Sequence, residues 1–224
     1  TVEVPQVANI AAFKALEAGT KAVLTLTNAQ VQYVSGNDMF VVDATGGIDI
    51  YKSGLSYTAG QILNGTVEAV YAEYSKLPEL TTITANNLVA TDGAVTPVIM
   101  TTGEAAKTEN IGKLVTVKNV KAVLDDTKYY TDDTKALQIY NKFRLEGYDT
   151  PSTEETDEYT GIIMPYYDQM QIAITVVPAT ATSIDAITAE AAAKDAPLYN
   201  LAGQKVSKEY KGVVIQNGKK FVNK

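Results

Sequence analysis

The sequence predicts an all-β protein of two tandem five-stranded Greek-key barrels, each preceded by a short helix, with a C-terminal β-hairpin module. Three observations lead there. At 224 residues the chain exceeds one small barrel, and domains of about 100–150 residues make two units and an extra piece the natural division. Short stretches alternate apolar and polar residues between Gly, Asn and Asp, the period of a half-buried strand. A block of the chain also occurs twice, which marks two copies of one unit. The expected boundaries are residues 1–92, 93–178 and 179–224.

The first copy opens on Asn9-Ile-Ala-Ala-Phe-Lys-Ala-Leu-Glu-Ala-Gly19. Asn9 is suited to cap a helix, Ile10, Phe13 and Leu16 share one helical face, and Gly19 can close the end. A strand, Leu24-Thr-Leu-Thr-Asn-Ala-Gln-Val31, follows. Gly36-Asn37 is a hairpin turn between Val31-Gln-Tyr-Val34 and Met39-Phe-Val-Val42. The second copy repeats the order with Thr102 to Gly112 and then Val115-Thr-Val-Lys-Asn-Val-Lys-Ala122. Both strands read apolar-Thr-apolar-x-Asn.

The next block aligns without a gap: Asp43-Ala-Thr-Gly-Gly-Ile-Asp-Ile-Tyr51 on Asp132-Asp-Thr-Lys-Ala-Leu-Gln-Ile-Tyr140. Asp and Thr bond nearby backbone amides in a tight turn, and the alternating strand behind it puts one face in a core. A third block sets Gly65-Thr-Val-Glu-Ala-Val-Tyr71 against Gly161-Ile-Ile-Met-Pro-Tyr-Tyr167, with an insertion between Asn141 and Tyr159. About five strands in each copy suit a Greek-key barrel of the OB type, whereas an immunoglobulin-like sandwich needs about seven.

The run from Phe40 to Tyr51, followed by Gly60-Gln-Ile-Leu-Asn-Gly-Thr-Val67, resembles bacterial secreted domains of the nucleic-acid-binding OB-fold-like kind. The resemblance covers Ile10 to Leu80 and, more faintly, Val98 to Val177. It implies the fold rather than a ligand. The second copy departs from it, because its turn has no Gly-Gly pair. After Val177-Pro178 the composition shifts to small residues, read as a linker with a helical turn at Ala189–Lys194. The ending, Leu198-Tyr-Asn-Leu-Ala-Gly-Gln-Lys-Val206 and Gly212-Val-Val-Ile-Gln-Asn-Gly-Lys-Lys220, resembles the C-terminal sorting-type (Por-like) domain of secreted Bacteroidetes proteins. That resemblance implies export, with any signal peptide already removed, to the periplasm, envelope or cell surface. The plain alternative is a terminal hairpin turning at Asn217-Gly218.

Composition narrows the chemistry. The chain has no Cys, His or Trp, which removes thiolate nucleophiles, histidine bases and the usual zinc, copper and haem ligand sets. No cofactor is expected, and no apolar run approaches the roughly 20 residues of a membrane span. What is left is carboxylates, Lys, Tyr and Arg144, so a carboxylate-type hydrolase is the residual enzyme class. A net charge of −7 and a single arginine disfavour nucleic acid without excluding it.

Tyrosine is over-represented, 14 against 4 Phe, and it concentrates in the second copy. Tyr129, Tyr130, Tyr140, Tyr166 and Tyr167 are the candidate ligand-binding residues, because aromatic faces stack on sugars and on bases. The ordinary alternative is that Tyr fills half-buried strand positions. Asp125-Asp126, Asp132-Asp133 and Glu154-Glu155-Thr-Asp157-Glu158 lack the alternating spacing of a calcium loop and read as solvated turns. Gly46-Gly47 belongs to no phosphate-loop pattern. Lys205, Lys208, Lys211, Lys219 and Lys220 make the tail mildly basic. The sequence therefore points to an exported, non-enzymatic binding or scaffold protein whose partner is a glycan or an envelope protein. Single-stranded nucleic acid is the alternative ligand.

Overall fold

The computed structural model describes residues 3–178, 198–200, 203–207, 209–216 and 219–223. The chain divides into two compact units, Thr1–Ala179 and Thr180–Lys224. Both barrels lie in the first unit and are packed on each other.

The first sheet contains β1 (Gln6–Val7), β2 (Lys21–Ser35), β3 (Asp38–Asp43), β4 (Gly46–Ile50), β5 (Ile62–Tyr74), β6 (Leu77–Asn86) and β7 (Val89–Thr91). A single turn and a half of helix, α1 (Ile10–Lys14), precedes β2. The order β2-β3-β4-β6-β5 closes on itself through a β2–β5 ladder, which gives a five-stranded barrel. One pair, β4 with β6, is parallel, and the other ladders of the closed ring are antiparallel.

The repeated residues have definite jobs in this barrel. Asn28 ends the apolar-Thr-apolar-x-Asn motif at φ +49°, where β2 bulges between Leu26 and Ala29. Asn119 does the same in the second copy at φ +54°. The left-handed region is steep for most side chains and mild for Asn, so the motif marks the bend of the first barrel strand. The Asp-x-Thr turn is a second such device. Asp43 Oδ1 accepts from Thr45 N (2.7 Å), Thr45 Oγ1 (2.6 Å) and Gly46 N (3.1 Å), and Asp132 Oδ1 accepts from Thr134 N and Oγ1 (3.1 and 2.5 Å).

That turn also seats α1. Ile10 N donates to Asp43 Oδ2 (2.9 Å), Ala11 N to Thr45 Oγ1 (3.0 Å) and Ala12 N to Asn9 Oδ1 (2.8 Å), so the first amides of the helix are all answered. The helix places Ile10 and Phe13 fully inside the barrel, with Leu16 partly buried beside them. Gly19 lies beyond the helix, in the turn that leads to β2, and donates to Tyr71 O (2.8 Å).

The second sheet contains β8 (Val98–Met100), β9 (Leu114–Val120), β10 (Val123–Asp125), β11 (Lys128–Tyr130), β12 (Leu137–Tyr140), β13 (Asp157–Tyr166) and β14 (Gln169–Ile174). Between β8 and β9 lie α2 (Thr102–Ala105) and a 3-10 turn at Thr108–Asn110. Its order, β10-β11-β12-β14-β13-β9, is that of the first barrel, again with one parallel pair, β12 with β14.

The second ring repeats the ladders of the first, and differs at one strand: the counterpart of β2 is split into β9, which pairs with β13, and β10, which pairs with β11. The cause is local. Where β2 runs unbroken for 15 residues, β9 stops at Val120, and Lys121-Ala122 turn Ala122 into the core before β10 begins. The inserted segment after Asn141 returns to that core, placing Leu145 and Tyr148 against it. Its counterpart in the first copy, after Tyr51, places Leu55 and Tyr57 in the same way.

The third repeat block is also out of register. Val67 pairs with Leu24, and Gly161 pairs with Val115, so Gly161 matches Val67 rather than Gly65. A slip of two residues keeps every side chain on its face, so the alternation could not expose the error.

The last unit holds β15 (Leu198–Asn200), β16 (Lys205–Val206), β17 (Gly212–Gln216) and β18 (Lys219–Asn223), in the order β16-β15-β17-β18 and antiparallel throughout. It is a four-stranded sheet, one hairpin more than expected. Gln216 pairs with Lys219. The turn residues Asn217-Gly218, Lys208 and the proposed helical turn at 189–194 lie outside the described residues.

Candidate ligand-binding groove

The barrels meet through their outer faces. Phe40 and Leu77 of the first form one buried cluster with Ile111, Leu114, Ile162, Met164 and Ala173 of the second. Phe143, from the inserted segment, lies against Tyr33 and Phe40, with ring centroids 4.8 and 6.2 Å apart. Aromatic pairs at such spacing add about 0.5–1.5 kcal/mol each beyond burial. The β5–β6 and β13–β14 hairpins also touch. Tyr167 N donates to Ser75 O (2.8 Å), and Lys76 pairs with Asp168.

These contacts leave a groove of about 450 Å³ between the barrels, within the range of small-molecule sites. Its floor is the outer face of the second barrel: Gln138 and Tyr140 on β12, Met164 and Tyr166 on β13, and Gln171 on β14. Tyr74 contributes from the first barrel, and Lys128 and Lys142 also line it. Tyr74 and Tyr166 occupy the same place in their copies, each the last residue before a two-residue hairpin loop. Tyr166 is braced by Tyr167, whose ring centroid is 4.9 Å away at 75°.

Of the five tyrosines singled out from sequence, Tyr140 and Tyr166 line the groove and Tyr167 supports it. Tyr140, Tyr166 and Tyr167 are 45%, 46% and 60% exposed. Tyr129 and Tyr130 are not brought to it. Tyr129 packs against the second core, and Tyr130 is only 7% exposed. Beneath them, burial and then the neighbours Tyr129 and Asp157 push the Tyr148 hydroxyl up to about 12. Tyr148 is therefore neutral where it packs against the second core.

Tyr74, Lys128, Lys142 and the two glutamines were missed by sequence reasoning. Gln138 and Gln171 lie opposite each other on the parallel pair β12–β14, and Gln171 Nε2 donates to Gln138 Oε1 (2.9 Å). In the first barrel the same two places hold Asp49 and Glu79, opposite each other on β4–β6. The repeat alignment did carry one signal, since it set Asp49 on Gln138.

This acidic pair lies under the inter-barrel contact, next to Asp38, and Asp38 receives Lys142 Nζ at 3.0 Å. Asp49 is fully buried. Met39 N donates to its Oδ1 (3.0 Å), and among the described residues nothing donates to Oδ2. Burial first, and then the charge of Asp38, raise the Asp49 carboxyl to about 8. Asp49 is therefore protonated at neutral pH, and its O–H is the donor that faces the Asp38 carboxylate. Glu79 is raised as well, by burial and then by Asp38. A carboxyl at 0% exposure cannot reach a substrate without opening the interface.

Asp125 pairs with Lys135 (2.7 Å) and Asp132 holds its own turn. Among the described residues no group of three or more acidic side chains is placed to hold a metal ion. Among those residues, too, no helix is long and apolar enough to cross a membrane. Comparison of the chain with protein-family models and with curated protein sequences finds no match.

Proposed function

We propose that this chain is a non-enzymatic saccharide-binding protein whose ligand lies in the groove between the two barrels. One observation carries the reading: two well-separated exposed tyrosines, Tyr140 and Tyr166, flank a pair of buried amides on one barrel face, and Tyr74 joins them from the other barrel. Pyranose rings present an apolar C–H face to an aromatic ring and hydroxyls at their edges. Amides answer hydroxyls as both donor and acceptor. The C-terminal residues from Leu198, through their resemblance to sorting-type domains, support a place at the envelope or cell surface. Protease shaving of intact cells tests that placement, and full protection of the protein would refute it.

The direct experiment screens the purified chain against glycan and single-stranded oligonucleotide arrays at low and moderate salt. Salt-tolerant glycan binding is expected, lowered about tenfold, or ~1.4 kcal/mol, by Tyr140→Ala or Tyr166→Ala. Tyr199→Ala, in the C-terminal sheet, leaves it unchanged. Steeply salt-dependent oligonucleotide binding would replace the saccharide with nucleic acid. Glycan binding indifferent to both groove tyrosines would move the site elsewhere.

A further inference from the structure

The groove has a charge unlike that of the chain that forms it. Asp and Glu outnumber Lys and Arg by 26 to 19. Among the described residues lining the groove there are two lysines, Lys128 and Lys142, and no carboxylate. The two lysines are not equivalent. Lys142 is paired with Asp38 at 3.0 Å, so much of its charge is already answered. Lys128, exposed on β11, forms no ion pair among the described residues. A cation without a partner beside aromatic rings and buried amides is a ready contact for an anionic group of a ligand.

The amides limit what that ligand can be. Gln171 is 4% exposed, its Nε2 is spent on Gln138, and its Oε1 accepts from nothing among the described residues. A buried acceptor without a donor is costly, by about 1–3 kcal/mol. A hydroxyl donor of a ligand at the groove floor would answer it. The fitting ligand thus offers hydroxyl donors, flat apolar ring faces and a negative charge together.

We propose that the groove takes a saccharide bearing a carboxylate, with the acidic group on Lys128 and the sugar rings against Tyr140 and Tyr166. The proposal rests on the saccharide reading above. A uronic-acid residue supplies all three features within one ring. A single-stranded nucleic acid would need a row of cations along its backbone. One unpaired lysine and one already engaged do not make such a row, and the single arginine of the chain, Arg144, does not line the groove.

The test titrates the full chain with uronic-acid oligosaccharides (galacturonan, alginate and glucuronate-containing chains), each beside its carboxyl-reduced neutral form. The acidic form should bind about tenfold tighter, the scale of one charge-assisted hydrogen bond of ~1.5 kcal/mol. Lys128→Gln should abolish that preference and leave the neutral form's affinity unchanged. Lys128 is exposed, so the substitution does not threaten folding, and the thermal transition of the variant verifies this. Equal binding of acidic and neutral forms would overturn the charge assignment and leave the saccharide reading standing. Binding of neither form would overturn both. An oligodeoxynucleotide that bound more tightly than every uronate and lost affinity in Lys128→Gln would reassign the groove to nucleic acid.

Discussion

Replacing Asp49 by Asn should stabilise the first unit at neutral and alkaline pH, and the size of the gain should depend on pH. An unfolded aspartate titrates near 3.9 and Asp49 in the folded protein at about 8, some four units higher. Between those values the folded state binds a proton that the unfolded chain does not, so stability falls as pH rises. It is fully present below about pH 4 and lost as pH passes through 8. At ~1.4 kcal/mol per unit the upper bound is about 6 kcal/mol. Relaxation of the interface around the buried carboxyl reduces it, which leaves a few kcal/mol. For a unit of this size that is roughly 5–15 °C in melting temperature.

Asparagine keeps both roles of the protonated acid: its carbonyl accepts from Met39 N and its amide faces Asp38. The chain itself shows an amide in that place, at Gln138. The assay is thermal unfolding by circular dichroism from pH 5.5 to 9. The chain has no His and no Cys, so no other type of side chain ordinarily titrates in the lower part of that window. Glu79, raised in the same direction, contributes to the wild-type slope and persists in the variant. The wild type should lose stability from pH 5.5 to about 8 and level off above it, and Asp49→Asn should be flatter and furthest above it beyond pH 8. A wild-type curve already flat over the range, or a variant curve of equal slope, would refute the reasoning.

Two further perturbations separate specific contacts from general damage. A Cβ on Gly161 would lie 2.4 Å from the Ala173 carbonyl oxygen, whereas one on Gly103 would meet nothing within 4 Å. Gly161→Ala should therefore cost about 2 kcal/mol or more, and Gly103→Ala, inside α2, should be neutral or slightly stabilising, as urea midpoints will show. Asp43→Ala removes acceptors from four donors, including Ile10 N of α1, while Asp132→Ala removes them from two donors in an exposed turn. The first should lower stability by about 2 kcal/mol and the second by less than half of that, by the same measurement.

How much of this was legible depended on whether a feature was local. The Asn9 cap, the Gly36-Asn37 loop and the Asp-x-Thr turns answer to neighbours a few residues away, and the residues themselves announce them. Closure of a barrel is not of that kind. The break at Lys121-Ala122 looks like ordinary strand continuation, and only the structure divides that stretch into β9 and β10. The tyrosines were legible as a type and not as a site. Tyr129 and Tyr140 sit in similar stretches, yet Tyr129 pairs with Ile139 and packs on the core of its own barrel, while Tyr140 faces the groove.

The buried acid pair carries that point furthest. Ile48-Asp-Ile50 is the pattern of a strand with one wet face, and in an isolated barrel Asp49 would be solvated. Packing of the second barrel removes that water, and with it the ordinary titration of the group. The same coverage in the other barrel is met by two amides that need no charge and bond to each other. An amide fits that place in the second barrel, so for stability alone an amide would serve in the first as well. Asp38 joins the pair to Lys142, and Lys142 lines the groove. Ionisation of Asp49 would add negative charge behind that lysine. The acid pair and the candidate groove are thus joined through Asp38 and Lys142.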